Sequence, residues 1–137
     1  MQSDSEALLK ALLDDTIDII ASDHSPNTSF EKSTDFGSAP PGVSGLETTV
    51  PVIFDRFISK GIFGWDLLIR KYADAPRQLV GREKVSVSEG QRAAFFVFDP
   101  QGETKFEPAY FKTKSPISPF LGDTVKGAIR QTVFFGK

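Results

Sequence analysis

The 137-residue chain contains no cysteine and one histidine, His24. The first absence excludes disulfides, thiolate nucleophiles and cysteine-ligated zinc. A reducing cytoplasm is the default compartment. The second restricts any chemistry that needs several imidazoles. A basic stripe is also missing: Lys and Arg are mixed with Asp and Glu to a net charge of −2, so nucleic acid is not an expected partner. No apolar run is long enough to span a bilayer and no signal peptide opens the chain, so a membrane is not expected either. Phe is the abundant exception at thirteen residues. The pairs Phe95-Phe96 and Phe134-Phe135 suggest strands or edges buried on both faces.

What is present reads as an α/β chain. Ser3 and Glu6 have capping-box spacing ahead of an apolar stripe at Ala7, Leu8, Ala11 and Leu12, which predicts a helix. Asp14-Asp15 opposes the dipole at the helix end and marks a turn. Residues 17–22, Ile-Asp-Ile-Ile-Ala-Ser, then read as a parallel strand covered on both faces. Residues 27–44 have no periodicity and form a long loop, a feature usually functional or mobile. Leu46, Val50, Ile53, Phe54, Phe57 and Ile58 recur at helical spacing, with Pro51 expected to kink or restart that helix. A further helix follows Gly64-Trp65-Asp66, broken at Asp74-Ala75-Pro76, with a last helical turn to Leu79. Beyond Gly81 the pattern turns to β. Val85 and Val87 alternate with Ser86 and Ser88, residues 93–98 form an aromatic strand ending at Asp99-Pro100-Gln101-Gly102, and Val125, Ile129, Val133 and Phe135 mark a half-buried antiparallel strand. The boundary falls between residues 1–81 and 82–137.

The chemistry-bearing feature is Asp23-His24-Ser25-Pro26, at the point where the apolar strand opens into the loop. In α/β folds reactive groups sit at such strand ends. Asp23 suits acid–base or metal work, or caps its own backbone as loop aspartates do. His24 suits a metal, or a hydrogen bond beneath the loop. Asn27 reads as a turn residue, and Pro41-Gly42 as a turn whose glycine lets main chain approach a ligand.

These motifs resemble the C-terminal portion of a dihydroorotase, a cyclic amidohydrolase. Residues 15–26, Asp-Thr-Ile-Asp-Ile-Ile-Ala-Ser-Asp-His-Ser-Pro, are similar to the family's last barrel strand and its Asp-His-Ala-Pro-His motif. Pro40-Pro41-Gly42-Val43-Ser44-Gly45-Leu46-Glu47-Thr48 resembles its Pro-Gly segment with Gly-Leu-Glu-Thr. Ser118-Pro119-Phe120 with Thr124-Val125-Lys126-Gly127 resembles its C-terminal signature, and residues 85–99 its return to a small β-sandwich. The resemblance implies a metal-dependent (β/α)8 barrel, of which residues 1–81 supply the last strand and flanking helices, while residues 82–137 supply part of the sandwich.

The resemblance also implies roles. Asp23 matches the aspartate that binds zinc and handles a proton as the ring amide is cleaved. His24 matches a histidine that is not a main metal ligand. Pro41 and Gly42 match backbone that touches the ring. Asn27 departs from the family: it stands where a second histidine contacts the substrate carboxylate, and it carries no charge. Ala94 departs too, where relatives carry an aspartate. The family's His-x-His pair, carbamylated lysine and two further histidines have no counterpart here. Lys10, Lys32, Lys60, Lys71 and Lys84 all read as solvated. The implied substrate is dihydroorotate, interconverted with N-carbamoyl-L-aspartate in pyrimidine biosynthesis, or another cyclic amide such as allantoin or a hydantoin. A non-catalytic interaction subunit is the remaining alternative. A lone barrel strand has bare edges, so residues 1–80 are expected to need an N-terminal barrel chain, self-association or local rearrangement. Another pyrimidine-pathway enzyme is the partner if the chain only docks. The Phe pairs are expected to be partly bare.

Overall fold

A computed structural model describes residues 2–135. The chain gathers into two units, one from Met1–Ala21, Gly61–Phe95 and Val133–Lys137, the other from Ser22–Lys60 and Phe96–Thr132. Each draws on residues from both sides of position 81.

In the first unit, helix α1 spans Gln2–Leu13. It already includes Ser3, so the capping box expected at Ser3 and Glu6 does not form. A cap must lie outside the helix, and Glu6 instead accepts a hydrogen bond from the Gln2 side chain at 3.0 Å. The acidic pair does end the helix. Asp14 accepts from the Thr16 N–H and hydroxyl at 3.0 and 2.6 Å, and Asp15 takes the left-handed φ of 64° that turns the chain.

The segment 17–22 is not a strand in this structure. A strand is defined by its ladder, and among the described residues no neighbouring strand pairs with this one. Two bonds to Lys71 hold it instead: the Ile20 N–H donates to the Lys71 carbonyl at 2.9 Å, and the Lys71 ammonium donates to the Ile17 carbonyl.

Lys71 lies in a helical run of α4 (Trp65–Ile69), a π-helical turn (Arg70–Asp74) and α5 (Ala75–Leu79). The run does not break at Pro76. Proline offers no N–H to the Tyr72 carbonyl, and the ladder widens just ahead of it, with the Ala75 N–H reaching back to the Arg70 carbonyl. Lys71 is also not solvated, at 1% exposure. Its ammonium pairs with Asp15 at 2.7 Å, and Arg70 reaches the same carboxylate oxygen at 2.6 Å. Lys10, Lys60 and Lys84 are exposed as expected, and Lys32 is half-buried. Residues 85–88 form no strand. Phe134 and Phe135 are exposed rather than buried on both faces, with the Arg92 guanidinium 4.1 Å over the Phe135 ring.

In the second unit, α2 (Ser29–Lys32) starts with a complete capping box. The Thr28 hydroxyl accepts from the Glu31 N–H at 3.2 Å, and the Glu31 carboxylate accepts from the Thr28 N–H at 2.8 Å. Helix α3 spans Thr49–Arg56, so Pro51 falls in its first turn, where its missing N–H costs nothing. Strands β1 (Ala94–Lys105) and β2 (Thr124–Phe134) form a two-stranded sheet. Phe106 bonds to Asp123 in this unit and Phe135 to Ala93 in the first, the register of an antiparallel pair. Strand β1 continues through Asp99-Pro100-Gln101-Gly102. In two strands every strand is an edge, where proline is tolerated, and Asp99 is pinned by Arg130 at 2.7 Å. In β2 the alternation slips at Gly127 and Ala128, both buried. Gly127 has φ 86°, and a side chain there would collide with the edge-to-face pair Phe54–Phe98. The core of this unit is Phe106, Phe111 and Val125, flanked by Val52, Tyr110 and Phe120. Among the described residues no helix is long and apolar enough to cross a membrane.

Candidate active-site loop

All four expected site residues fall in the second unit, on two segments that run side by side. His24 and Val43 form a parallel β-bridge, and the Ser25 N–H donates to the Val43 carbonyl at 3.0 Å. Gly42 and Gly45 permit this approach. Gly42 has φ 108°, and a Cβ there would strike the Ser25 carbonyl, while a Cβ on Gly45 would lie 2.5 Å from the Ser22 carbonyl. The Pro-Gly segment therefore packs main chain against main chain on the loop that follows Asp23.

Asp23 is exposed and has a left-handed φ of 45°. A non-glycine residue in that region carries strain, and such strain gathers at functional sites. His24 takes its plain reading: Nδ1 accepts from the N–H groups of Gly45 and Leu46, each at 3.3 Å. That bond fixes the histidine against the second segment. The amide of Asn27 donates to the Pro41 carbonyl at 2.9 Å and to the Ser25 carbonyl at 3.3 Å. Both of its hydrogens are thus committed to holding the loop, and only Oδ1 is left for a ligand. The structure brings Asn27, Pro41 and Gly42 together through this bond and the Ser25 contact.

Several residues of the loop were not expected. Lys32 donates to the Pro40 carbonyl at 2.6 Å, so the two successive proline carbonyls are gripped by Lys32 and Asn27. The Thr-x-x-Glu spacing at 28–31 carried a legible helix-start signal. Ser44 and Ser115, exposed by 1% and 6%, had none. Ser44 donates its hydroxyl to the Ser115 carbonyl and its N–H to the Ile117 carbonyl at 2.7 Å, and the Ser115 hydroxyl donates to the Asn27 carbonyl.

A zinc ion does not fit the residues of this chain taken alone. Zinc takes about four nitrogen, sulfur or oxygen ligands. Among the described residues no three of His, Cys, Asp and Glu gather closely enough to hold a metal. Asp23 and His24 offer two neighbouring donors at most, and Nδ1 of His24 is already engaged.

Comparison with known proteins shows what this chain is similar to. No family model matches the chain. The dihydroorotase of Bacillus cytotoxicus is 37% identical over 136 residues, which cover 99% of this chain and 32% of that protein. The dihydroorotase of Clostridium acetobutylicum is 33% identical with the same coverage. Among solved structures, L-hydantoinase (dihydropyrimidinase) from Arthrobacter aurescens matches with a TM-score of 0.76 and 27% identity, over 95% of this chain and 30% of the other. The dihydropyrimidinase of Brevibacillus agri matches with a TM-score of 0.81 at 23% identity and shares the fold. The chain therefore spans about a third of the length of the curated relatives it matches. With helices and strands arranged as in part of a hydantoinase and 99% of its sequence aligned to about a third of a dihydroorotase, the chain is similar to a portion of these cyclic amidohydrolases.

Proposed function

We propose that this chain completes a cyclic amidase that reversibly interconverts dihydroorotate and N-carbamoyl-L-aspartate, a step of pyrimidine biosynthesis in the cytoplasm. The carrying observation is the 37% identity to a dihydroorotase across 99% of the chain. The geometry supports it through Asp23, an exposed carboxylate on a strained backbone with a braced loop behind it. In this reading the Asp23 carboxylate takes the proton of the attacking water and delivers it to the leaving ring nitrogen. Pro41 and Gly42 present main chain to the ring, and Asn27 holds them there. Asp23 is one donor to a zinc site, whose other donors come from protein beyond these residues, an N-terminal (β/α)8 barrel segment. Residues 1–81 are then the last barrel strand with its helices, and residues 82–137 part of the sandwich.

Asn27 favours a second substrate. Its remaining Oδ1 accepts hydrogen bonds and does not attract a carboxylate, so it suits the N–H of an uncharged ring such as a hydantoin or allantoin.

A hybrid tests both readings. The matching 136 residues of the Bacillus cytotoxicus dihydroorotase are replaced by this chain, and the purified hybrid is offered dihydroorotate, hydantoin and allantoin. Turnover of dihydroorotate that disappears in Asp23→Asn supports the first reading. Turnover of the uncharged rings alone selects the second. A folded hybrid that hydrolyses none of them leaves the chain as a docking subunit for another enzyme.

A further inference from the structure

The loop that carries Asp23 and Asn27 is held from a distance as well as from its own neighbours. Ser115 lies 88 residues beyond Asn27 and is almost fully buried. Its hydroxyl donates to the Asn27 carbonyl, and its carbonyl receives the hydroxyl of Ser44, itself only 1% exposed. The same strand of irregular chain makes two more attachments: the Ile117 carbonyl receives the Ser44 N–H, and the Lys112 N–H donates to a Glu47 carboxylate oxygen. Residues 112–117 thus form a strap bonded to both segments of the site loop. On the first segment it holds the carbonyl of the residue whose side chain holds Pro41.

From this connection we infer that Ser115 is a positioning residue for the active-site loop. It touches neither Asp23 nor any expected ligand-facing atom. It acts by fixing the main chain at Asn27, and through Asn27 the Pro41–Gly42 backbone. Removing its hydroxyl leaves the half-buried Asn27 carbonyl without its protein donor, so the loop loses its tie to the strap and is freer to move. The other attachments of the strap, at Ser44 and Glu47, do not depend on the Ser115 hydroxyl. The loss is therefore confined to the loop. The role in catalysis rests on the cyclic-amidase reading, whereas the mechanical link does not.

The test has two arms. In the first, amide hydrogen exchange is followed in the full chain and in Ser115→Ala and Ser115→Thr. The Ser25 N–H, bonded to Val43, reports on the loop, and the Phe106 N–H, bonded to Asp123, reports on the core. Ser115→Ala is expected to speed exchange at Ser25 by about tenfold, the scale of one lost buried hydrogen bond. Phe106 is expected to stay unchanged, and Ser115→Thr, which keeps a hydroxyl, to restore protection. No change at Ser25, or an equal change at Phe106, overturns the inference. In the second arm the same variants are made in the hybrid. Ser115→Ala is expected to lower kcat about tenfold with KM nearly constant, with recovery in Ser115→Thr. Exchange at Ser25 that rises with no change in kcat overturns the catalytic part. A hybrid without turnover defeats the cyclic-amidase reading and with it that part, while exchange still decides the link.

Discussion

At the residue scale, the site loop depends on positions that have no side chain to show. Gly42 sits at φ 108° with the Ser25 carbonyl where a Cβ would go. Gly42→Ala is expected to lower stability by about 2 kcal/mol or more, the sum of left-handed strain and displacement of main chain. Urea unfolding of the two proteins checks it. Gly61→Ala, also left-handed but in open space, serves as the strain-only control and is expected to cost less. Asp15 carries a pH prediction of known sign. Its hydrogen bond to the Lys71 ammonium, and then that to Arg70, hold its carboxyl below the usual carboxylate value. A depressed folded-state pKa contributes stability above the unfolded value of about 3.9, and that contribution is lost as pH falls through the lower folded value. Asp15→Asn is therefore expected to flatten part of the decline in urea midpoint below about pH 4 and to leave the rest to other bonded carboxylates such as Asp99. An unchanged acid limb in Asp15→Asn would remove the clasp from the account. Lys71 shows why residue-level reading fell short. Its spacing marks a helix face, yet a π turn ahead of Pro76 carries it into a buried position where two carbonyl and carboxylate partners replace water.

At the element scale, α2 is a test of how local signals act. Four residues do not make a stable helix in water, and this one is framed by its capping box and by the Lys32 bond to Pro40. Thr28→Val, which keeps the shape and removes the hydroxyl, is expected to cost about 1 kcal/mol and to loosen the loop. Faster proteolytic nicking within residues 28–38, against an unchanged rate elsewhere, is the measurement. Helix signals with a local cause were legible. The acidic pair at 14–15 ends α1, and Pro51 opens α3, because an absent N–H or a left-handed residue acts within one turn. Signals whose meaning lies in a partner were not. The Ser3–Glu6 spacing fits a cap equally well inside or outside a helix, and the apolar run at 17–22 describes a strand only where another strand lies beside it. The close approach of main chain at Gly42 was readable because glycine acts through its own backbone. Ser115 was not, since a serine in an irregular segment says nothing of a partner 88 residues away.

At the scale of the whole molecule, the donor inventory sets the argument. The sequence aligns with dihydroorotases over 99% of its length but spans 32% of theirs, and it carries one histidine. A zinc site needs about four protein or solvent ligands in a tight shell. Asp23 is exposed and has no acidic or imidazole cluster around it among the described residues. Loss of an isolated carboxylate–metal contact to water is easy, because one ligand gives neither the geometry nor the charge to compete with hydration. The purified chain is therefore expected to retain far less than one zinc per molecule after dialysis against a weak chelator. The hybrid, which adds the remaining two thirds of a dihydroorotase, is expected to retain zinc, and Asp23→Asn in the hybrid is expected to weaken retention without abolishing it, since the other ligands stay. Metal analysis of the three samples reads this directly. Stoichiometric zinc on the chain alone would mean that its own residues rearrange into a metal site, and the view of Asp23 as one contributor among several would fall. Equal zinc in the hybrid with and without Asp23 would leave the carboxylate only its proposed part in proton transfer.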